Sequence, residues 1–258
     1  MQDDIVERFQ RTKYRTDYVP RMMHKSNIPN GYAAKMTELK LELIRNFYDH
    51  GRLLDLGCGP GDILLRVASY VESAIGVDFS PELIAEAKMR SASNHNISCI
   101  VGNVRRLPLR SESVSLIYSY SSLYYVPRVE QVVRECSRVL ERNGVAILEF
   151  GILHSLNTVV CKSYPDLAVP CHVPLLKARH IVESAGFRVE KDRVFQFLPL
   201  WGDKPIWLRP LLHRYWRRLF ELDAGYRMLD EVVSGFWPLR HFSFRHIMIC
   251  RKHKSLEL

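Results

Sequence analysis

The chain has 258 residues, with 37 Lys and Arg against 28 Asp and Glu and a formal net charge of +9. Apolar residues make up 47% and charged residues 25%, which excludes a disordered or low-complexity chain. No apolar run reaches the roughly 18 to 20 residues that a membrane-spanning helix needs, and the first residues are too polar for a secretory signal. The six cysteines form no Cys-x-x-Cys pair, so we expect a reducing, cytoplasmic environment.

The positive charge is unevenly distributed along the chain. Residues 51–150 contain 11 basic and 11 acidic residues, whereas residues 186–258 contain 14 basic and 8 acidic residues. Basic and aromatic residues are interleaved in one segment only, which disfavours nucleic acid as the partner. The excess charge therefore belongs to the C-terminal part of the chain.

Hydrophobic periodicity predicts alternating strands and helices from residue 51 onward, after a helix over 32–48. The predicted strands are 52–56, 74–79, 97–101, 114–119, 145–150, 187–197 and 242–250. The predicted helices that follow are 62–73, 80–91, 129–140 and 174–185, with a turn at 141–144. This alternation indicates a parallel sheet covered by helices on both faces.

A glycine loop joins the first predicted strand to the next helix. Gly57, Gly59 and Gly61 occupy alternate positions, which allows positive φ and a close approach of the backbone to a ligand. The dinucleotide fingerprint would place its last glycine at position 62, where this chain has Asp62, so a nicotinamide-dependent oxidoreductase is disfavoured. A carboxylate at Asp55 suits a ligand with an ammonium group better than a pyrophosphate.

Acidic and polar residues also follow the second and third predicted strands. Asp78 ends the second strand, 21 residues after Gly57, where a carboxylate can accept hydrogen bonds from both hydroxyls of a ribose. Ser80 already serves as the N-cap of the following helix, so Asp78 is not needed for that purpose. Gly102 and Asn103 follow the third strand.

Together these segments resemble the class I S-adenosylmethionine-dependent methyltransferases, in particular the ubiquinone and menaquinone branch. The resemblance is carried by residues 53–62, 76–87, 102–108, 113–127 and 134–150, and extends to 176–189. It implies an α/β, Rossmann-like, doubly wound fold with a mostly parallel seven-stranded sheet, an antiparallel last strand and a helical insertion before that strand. The implied cofactor is S-adenosylmethionine.

The resemblance also implies which residues contact that cofactor. Asn103 stands where the family commonly has Asp, and its amide oxygen can still accept a hydrogen bond from the adenine amino group. The expected cofactor-binding residues are Asp55, Gly57, Cys58, Gly59, Gly61, Asp78, Phe79, Asn103, Val104 and Ser119.

Methyl transfer from a sulfonium is an in-line displacement, in which the protein mainly aligns donor and acceptor. A hydroxyl or amine acceptor also needs a base, and the candidates after the fourth and fifth strands are Tyr124, Tyr125 and His154. Packing roles compete for all three. Relatives often have histidines at the tyrosine pair, so the roles of those histidines do not carry over. No metal site is expected, because Cys171-His172 lacks partners at ligand spacing and is interpreted as a buried thiol beside a loop histidine.

The predicted domains are an N-terminal helical lid (1–50), a cofactor-binding core (51–198), a basic aromatic insertion that caps the substrate (199–241), and the last strand with a tail (242–258). Within the insertion, Trp201–Phe220 predicts a basic amphipathic helix. Three interpretations remain open: a cap packed on the core, a helix lying on an anionic membrane, or a pocket wall whose arginines hold an anionic acceptor.

We therefore expect methyl transfer to a small-molecule, saccharide or lipid-linked acceptor, with O-methylation first and N- or C-methylation, including that of RNA, as alternatives. A non-catalytic relative that binds the cofactor is the other hypothesis. The expected location is the cytoplasm, with peripheral membrane contact through residues 201–220.

Overall fold

The computed structural model describes residues 31–162, 171–198, 210, 213–224 and 227–253. The helices are α1 (Gly31–Phe47), α2 (Asp62–Val67), α3 (Pro81–Arg90), α4 (Val129–Val139), α5 (Leu156–Lys162), α6 (Leu175–Ser184), α7 (Arg214–Phe220) and α8 (Leu229–Gly235). The strands are β1 (Arg52–Leu56), β2 (Ser73–Asp78), β3 (Ile97–Val101), β4 (Val114–Ser119), β5 (Leu140–Gly151), β6 (Phe187–Phe195), β7 (Asp223–Ala224), β8 (Arg227–Met228) and β9 (Arg245–Lys252).

Seven of these strands form one sheet in the order β3-β2-β1-β4-β5-β9-β6. Strands β1 to β5 pair in parallel, whereas β9 runs antiparallel between β5 and β6. The expected mostly parallel sheet with an antiparallel last strand is therefore confirmed. The carboxyl ends of β1 to β5 consequently lie along one edge, which is where open α/β sheets bind their ligands.

Each face of the sheet is covered by its own hydrophobic core. On one face, Tyr32 and Ile44 of α1 pack with apolar side chains of β1, β4, β5 and β9. On the other face, Val132 of α4 and Val182 of α6 pack with Leu54 and the alternate residues of the same strands. Successive strand residues point to opposite faces, so residues two apart on a strand share one core.

Two predicted elements differ from the structure. The predicted turn at 141–144 lies inside β5, where the pairing register with β4 shifts and Asn143 adopts a φ of 62°. The predicted helix over 62–73 ends at Val67. Of the predicted amphipathic helix 201–220, residues 201–209, 211 and 212 lie outside the described residues, as do residues 1–30 of the predicted lid.

The segment between β6 and β9 contacts α1 and the end of β6. The Tyr32 hydroxyl of α1 hydrogen-bonds the carboxylate of Asp230 in α8, and the Lys35 ammonium lies 2.6 Å from the Asp223 carboxylate. Asp230 also accepts from the backbone N–H of Gln196 at 2.7 Å, just past β6. The N-terminal helix and the insertion are thus joined to each other and to the sheet edge. Within the described part of the chain, no helix is long and apolar enough to cross a membrane.

Candidate cofactor and acceptor site

The glycine loop follows β1 at the carboxyl edge of the sheet. Gly57, Gly59 and Gly61 all have positive φ, at 73°, 54° and 83°. A Cβ on Gly57 would lie 2.1 Å from the Ser122 Oγ, whereas a Cβ on Gly59 would meet no atom within 4 Å. A side chain at position 57 would therefore collide with Ser122, whereas the space beside Gly59 is open.

Asp78 lies at the end of β2, beside that open space. Its carboxylate accepts hydrogen bonds from the backbone N–H of Gly59 and of Ser80, both at 3.0 Å. Burial raises its pKa above the usual range, although these backbone donors act in the opposite direction. The Ser80 hydroxyl accepts from the Leu83 N–H at 3.3 Å, which confirms Ser80 as the N-cap of α3.

Asp55 of β1 is only 4% exposed and pairs in register with Tyr118 of β4. The Tyr118 hydroxyl donates a 2.7 Å hydrogen bond to its Oδ2 atom. Burial raises the pKa of Asp55 to about 7, although the Tyr118 hydrogen bond lowers it. Sequence reasoning missed Tyr118, and the signal available was its position on the strand that neighbours β1.

Three further residues expected at the cofactor, Phe79, Asn103 and Val104, differ in their exposure and contacts. Phe79 is partly exposed and Val104 is buried. The Asn103 Oδ1 atom accepts a hydrogen bond from the Arg105 N–H at 3.0 Å, which closes a local turn after β3. One lone pair of that amide oxygen is therefore already used within the loop.

Cys58 and Ser119 have contacts within the protein. The Cys58 thiol is buried and donates to the Gly59 carbonyl at 3.6 Å. The Ser119 hydroxyl is fully buried and donates to the Leu56 carbonyl at 3.0 Å, so it fastens β4 to β1. Because Ser119 points to the sheet face opposite Tyr118, its side chain lies away from Asp55.

Near the carboxyl edge of the sheet, β5 and β9 each carry a charged residue on a face that is otherwise apolar. Glu149 follows Ile147 on one face of β5, and Arg245 precedes Ile247 on β9. Glu149 is fully buried; its carboxylate lies 2.9 Å from the Lys40 ammonium of α1 and forms an ion pair with Arg245. Burial raises the pKa of Glu149, but Arg245 and Lys40 together lower it below its usual value.

Ser121 lies between these two cations, two residues beyond the end of β4. Its Oγ atom is 3.0 Å from Nη1 of Arg245 and 3.2 Å from Nζ of Lys40. The residue has a φ of 57°, a backbone conformation that is uncommon outside glycine. We refer to Lys40, Ser121, Glu149 and Arg245 as the Ser121 cluster. Sequence reasoning missed it, although Glu149 interrupts an otherwise apolar strand.

The expected catalytic tyrosines lie beside this cluster. The Tyr124 ring packs against the rings of Tyr125 at 4.7 Å and Phe244 at 5.3 Å, measured between centroids. Burial raises the pKa of Tyr124, while the nearby Arg245 guanidinium lowers that pKa. Tyr124 therefore lies close to the cluster. Tyr125 packs against the Tyr124 ring and is partly exposed.

The two histidines of this region are placed in opposite environments. His154 is exposed in the turn after β5. His172 is buried against Tyr124, and its Nδ1 atom lies 2.7 Å from the Thr158 hydroxyl. Cys171 is only partly buried, so the expected buried thiol beside a loop histidine is wrong: here the histidine is the buried partner. Within the described ranges, no three His, Cys, Asp or Glu side chains are grouped so that they could hold a metal ion.

Helix α7 is the described part of the predicted basic aromatic helix. Tyr215 and Trp216 are 63% and 41% exposed, whereas Phe220 is buried. Arg218 is exposed, and it has no ion-pair partner among the residues that the structure describes. A cap packed with its aromatic side chains on the core therefore accounts for Phe220 but not for Tyr215 and Trp216.

Comparisons with known proteins agree with this geometry. Residues 54–148 match the family described as "Methyltransferase domain". A 2-phytyl-1,4-naphtoquinone methyltransferase of Nostoc sp. is 38% identical over 104 residues, covering 38% of this chain and 45% of that protein. A malonyl-[acyl-carrier protein] O-methyltransferase of Methylococcus capsulatus is 30% identical over 129 residues, covering 47% of each. The match thus spans less than half of the length of these curated relatives.

Among solved structures, the geranyl diphosphate C-methyltransferase of Streptomyces coelicolor, in complex with Mg²⁺, geranyl diphosphate and S-adenosyl-L-homocysteine, superposes with a TM-score of 0.60 at 16% identity. The alignment covers 86% of this chain and 81% of that one, which shows a shared fold. The family match, the strand order and the glycine loop make S-adenosylmethionine the cofactor of this domain: residues 54–148 form a methyltransferase domain with the class I, S-adenosylmethionine-dependent fold.

Proposed function

We propose that the chain transfers the methyl group of S-adenosylmethionine to a small-molecule, saccharide or lipid-linked acceptor, with O-methylation as the first expectation. The observation that carries the proposal is the open space beside Gly59, which lies between the ends of β1 and β2 and next to Asp78. When bound, S-adenosylmethionine supplies a methyl group that is already activated as a sulfonium. The protein then has to hold, orient and desolvate the reacting pair.

In this proposal the two buried carboxylates hold opposite ends of the cofactor. Asp78 would accept hydrogen bonds from the ribose hydroxyls, and Asp55 would pair with the ammonium of the methionine part. The backbone of Gly57, Gly59 and Gly61 would line the loop between them. Both carboxylates are buried with raised pKa values, so a bound cation or hydroxyl donor stabilises charges that the fold alone disfavours.

Calorimetric titration with S-adenosylhomocysteine tests the cofactor part. We expect the wild type to bind and Asp78→Ala to bind at least about tenfold more weakly, since a charge-assisted pair of hydrogen bonds is lost. Asp62→Ala is the matched control, because Asp62 is an exposed acid on the same loop that pairs with Arg90. Failure of the wild type to bind, or unchanged binding by Asp78→Ala, would contradict the assignment.

An acceptor screen with labelled methyl donor tests the reaction. We expect labelled product from hydroxyl-bearing acceptors, and product analysis then separates O- from N- and C-methylation. His154, Tyr124 and Tyr125 stay predictions as catalytic residues; full turnover by His154→Ala at saturating acceptor would remove that histidine from the mechanism. Cofactor binding without any transfer across small molecules and RNA would favour the non-catalytic alternative.

We further propose that α7 lies against an anionic membrane surface, which suits a lipid-linked acceptor. Exposed Tyr215 and Trp216 beside the exposed guanidinium of Arg218 give the mixture of aromatic and basic side chains typical of interfacial helices. Leu219 and Leu222, at 40% and 56% exposure, extend the apolar surface.

Cosedimentation with vesicles tests this contact. We expect binding to vesicles that contain phosphatidylserine, weaker binding to phosphatidylcholine alone, and a loss of several-fold in the double variant Tyr215→Ala, Trp216→Ala. Met89→Ala is the matched control, because Met89 is a similarly exposed apolar residue on α3. Equal absence of binding to both vesicle types would overturn the proposal.

A further inference from the structure

Ser121 combines an uncommon backbone conformation with an unusual set of partners. It is a non-glycine residue with positive φ, two residues beyond the end of β4, and residues in such conformations concentrate at functional sites. It is also partly exposed, whereas Lys40 and Glu149 next to it are buried. Ser121 and Arg245 are therefore the two members of the Ser121 cluster that are accessible to solvent.

The direction of its hydrogen bonds follows from the chemistry of its neighbours. A Lys ammonium and an Arg guanidinium can only donate, so the Ser121 oxygen accepts from both Lys40 and Arg245. Both lone pairs of the oxygen are then in use. The hydroxyl proton is left as a donor, and the two adjacent cations polarise the O–H bond.

The position of Ser121 relates the cluster to the cofactor loop. The adjacent residue, Ser122, is the one that occupies the space above Gly57. Ser121 is therefore adjacent in sequence to a residue that contacts the glycine loop. Within the Ser121 cluster, Lys40 and Arg245 supply two positive charges against the one carboxylate of Glu149, so the cluster itself favours an anionic group. Asp55, the carboxyl group that also acts on Lys40, has its pKa raised by burial.

We propose that Ser121 is an acceptor-binding residue, which donates a hydrogen bond to a negatively charged oxygen of the acceptor: a carboxylate, a phosphate or an ionised hydroxyl. This inference rests on the proposed methyl transfer and adds the chemical class of the acceptor. Lys40 and Arg245 act as positioning residues that hold the Ser121 oxygen, and Glu149 keeps both cations in place within the core.

The test uses Ser121→Gly, because glycine adopts a φ of 57° without strain and the variant should keep its thermal midpoint. Asn143→Gly is the matched control, since Asn143 also has positive φ, at 62°, but lies toward the amino end of β5. The full chain, loaded with S-adenosylhomocysteine, is titrated with benzoate, phenyl phosphate and, as the neutral match, benzamide, with binding followed by ligand-observed NMR.

We expect benzoate or phenyl phosphate to bind at least fivefold more tightly than benzamide to the wild type and to Asn143→Gly. This preference should be smaller in Ser121→Gly, which keeps both cations but lacks the hydroxyl donor. Tighter binding of benzoate would indicate a carboxylate on the acceptor, and tighter binding of phenyl phosphate would indicate a phosphate. Equal binding of benzoate, phenyl phosphate and benzamide to the wild type, or an unchanged preference in Ser121→Gly, would overturn the inference. Failure of the wild type to bind S-adenosylhomocysteine at the first step would instead contradict the proposed function.

Discussion

At the scale of single residues, Asp55 is a carboxyl group that the fold places out of water. Burial moves its pKa from 3.8 to about 7, so the folded protein holds this proton up to a higher pH than the unfolded chain does. The contribution of Asp55 to stability is therefore largest at low pH and is lost as the pH rises from about 4 to about 7. A bound ammonium group reverses this preference by stabilising the carboxylate.

This linkage predicts that binding of S-adenosylhomocysteine weakens as the pH falls below about 7, because Asp55 must then lose a proton to receive the ligand. The expected loss approaches about tenfold per pH unit below the pKa. Calorimetry of wild type and Asp55→Asn between pH 6 and 8 measures it. The Asn variant should bind more weakly at pH 8 and show a flatter profile; parallel profiles for the two proteins would exclude Asp55 as the source.

At the scale of elements, α1 is joined to the insertion through a buried carboxylate. Asp230 accepts hydrogen bonds from the Tyr32 hydroxyl, from the Ser234 hydroxyl and from the backbone N–H of Gln196 and Phe197. Four donors converge on one side chain that is fully buried. The contact therefore couples α1, the end of β6 and α8.

Asp230→Ala should lower the free energy of unfolding by about 3 kcal/mol, because it leaves buried donors without an acceptor. Glu38→Ala serves as the comparison: Glu38 pairs with Arg66 on the surface of α1, and such exposed pairs contribute about 0 to 1 kcal/mol. Urea denaturation of the two variants measures the difference. Similar small losses for both would mean that the insertion is held by other contacts.

At the scale of the whole molecule, the net charge differs between the part of the chain that binds the cofactor and the part proposed to contact a membrane. Residues 51–150 contain equal numbers of acidic and basic residues, while most of the excess positive charge lies beyond residue 185. Long-range attraction to an anionic surface is screened by salt, whereas hydrogen bonds inside a neutral cleft are screened far less.

Raising the salt concentration from about 0.05 to about 0.5 M should therefore weaken vesicle binding several-fold and leave the affinity for S-adenosylhomocysteine nearly unchanged. Cosedimentation and calorimetry on the same preparation make the comparison. Two affinities that fall in parallel would show that one charged surface serves both ligands.

Local patterns in the sequence were sufficient for most of the sheet and for the cofactor loop. Strand alternation placed β1 to β5 within a few residues, and the glycines at 57, 59 and 61 marked the turn, because both signals arise between residues close in the chain. The turn predicted at 141–144 falls within the bounds of β5, but these four residues do not pair with β4: Val114 pairs with Leu140, and Leu116 pairs with Val145. The turn signal therefore remains as an irregularity within the strand, where Asn143 has a φ of 62°.

The sequence by itself determined the order of strands and helices, the glycine loop and the identity of the cofactor. Only the tertiary structure decided which charges meet: Lys40 of α1, Ser121 after β4, Glu149 of β5 and Arg245 of β9 are joined across 205 residues of chain. It also decided that Trp216 faces water rather than the core. The reason is physical: periodicity specifies which face a side chain takes on its own element, whereas the partner on that face is set by the packing of distant elements.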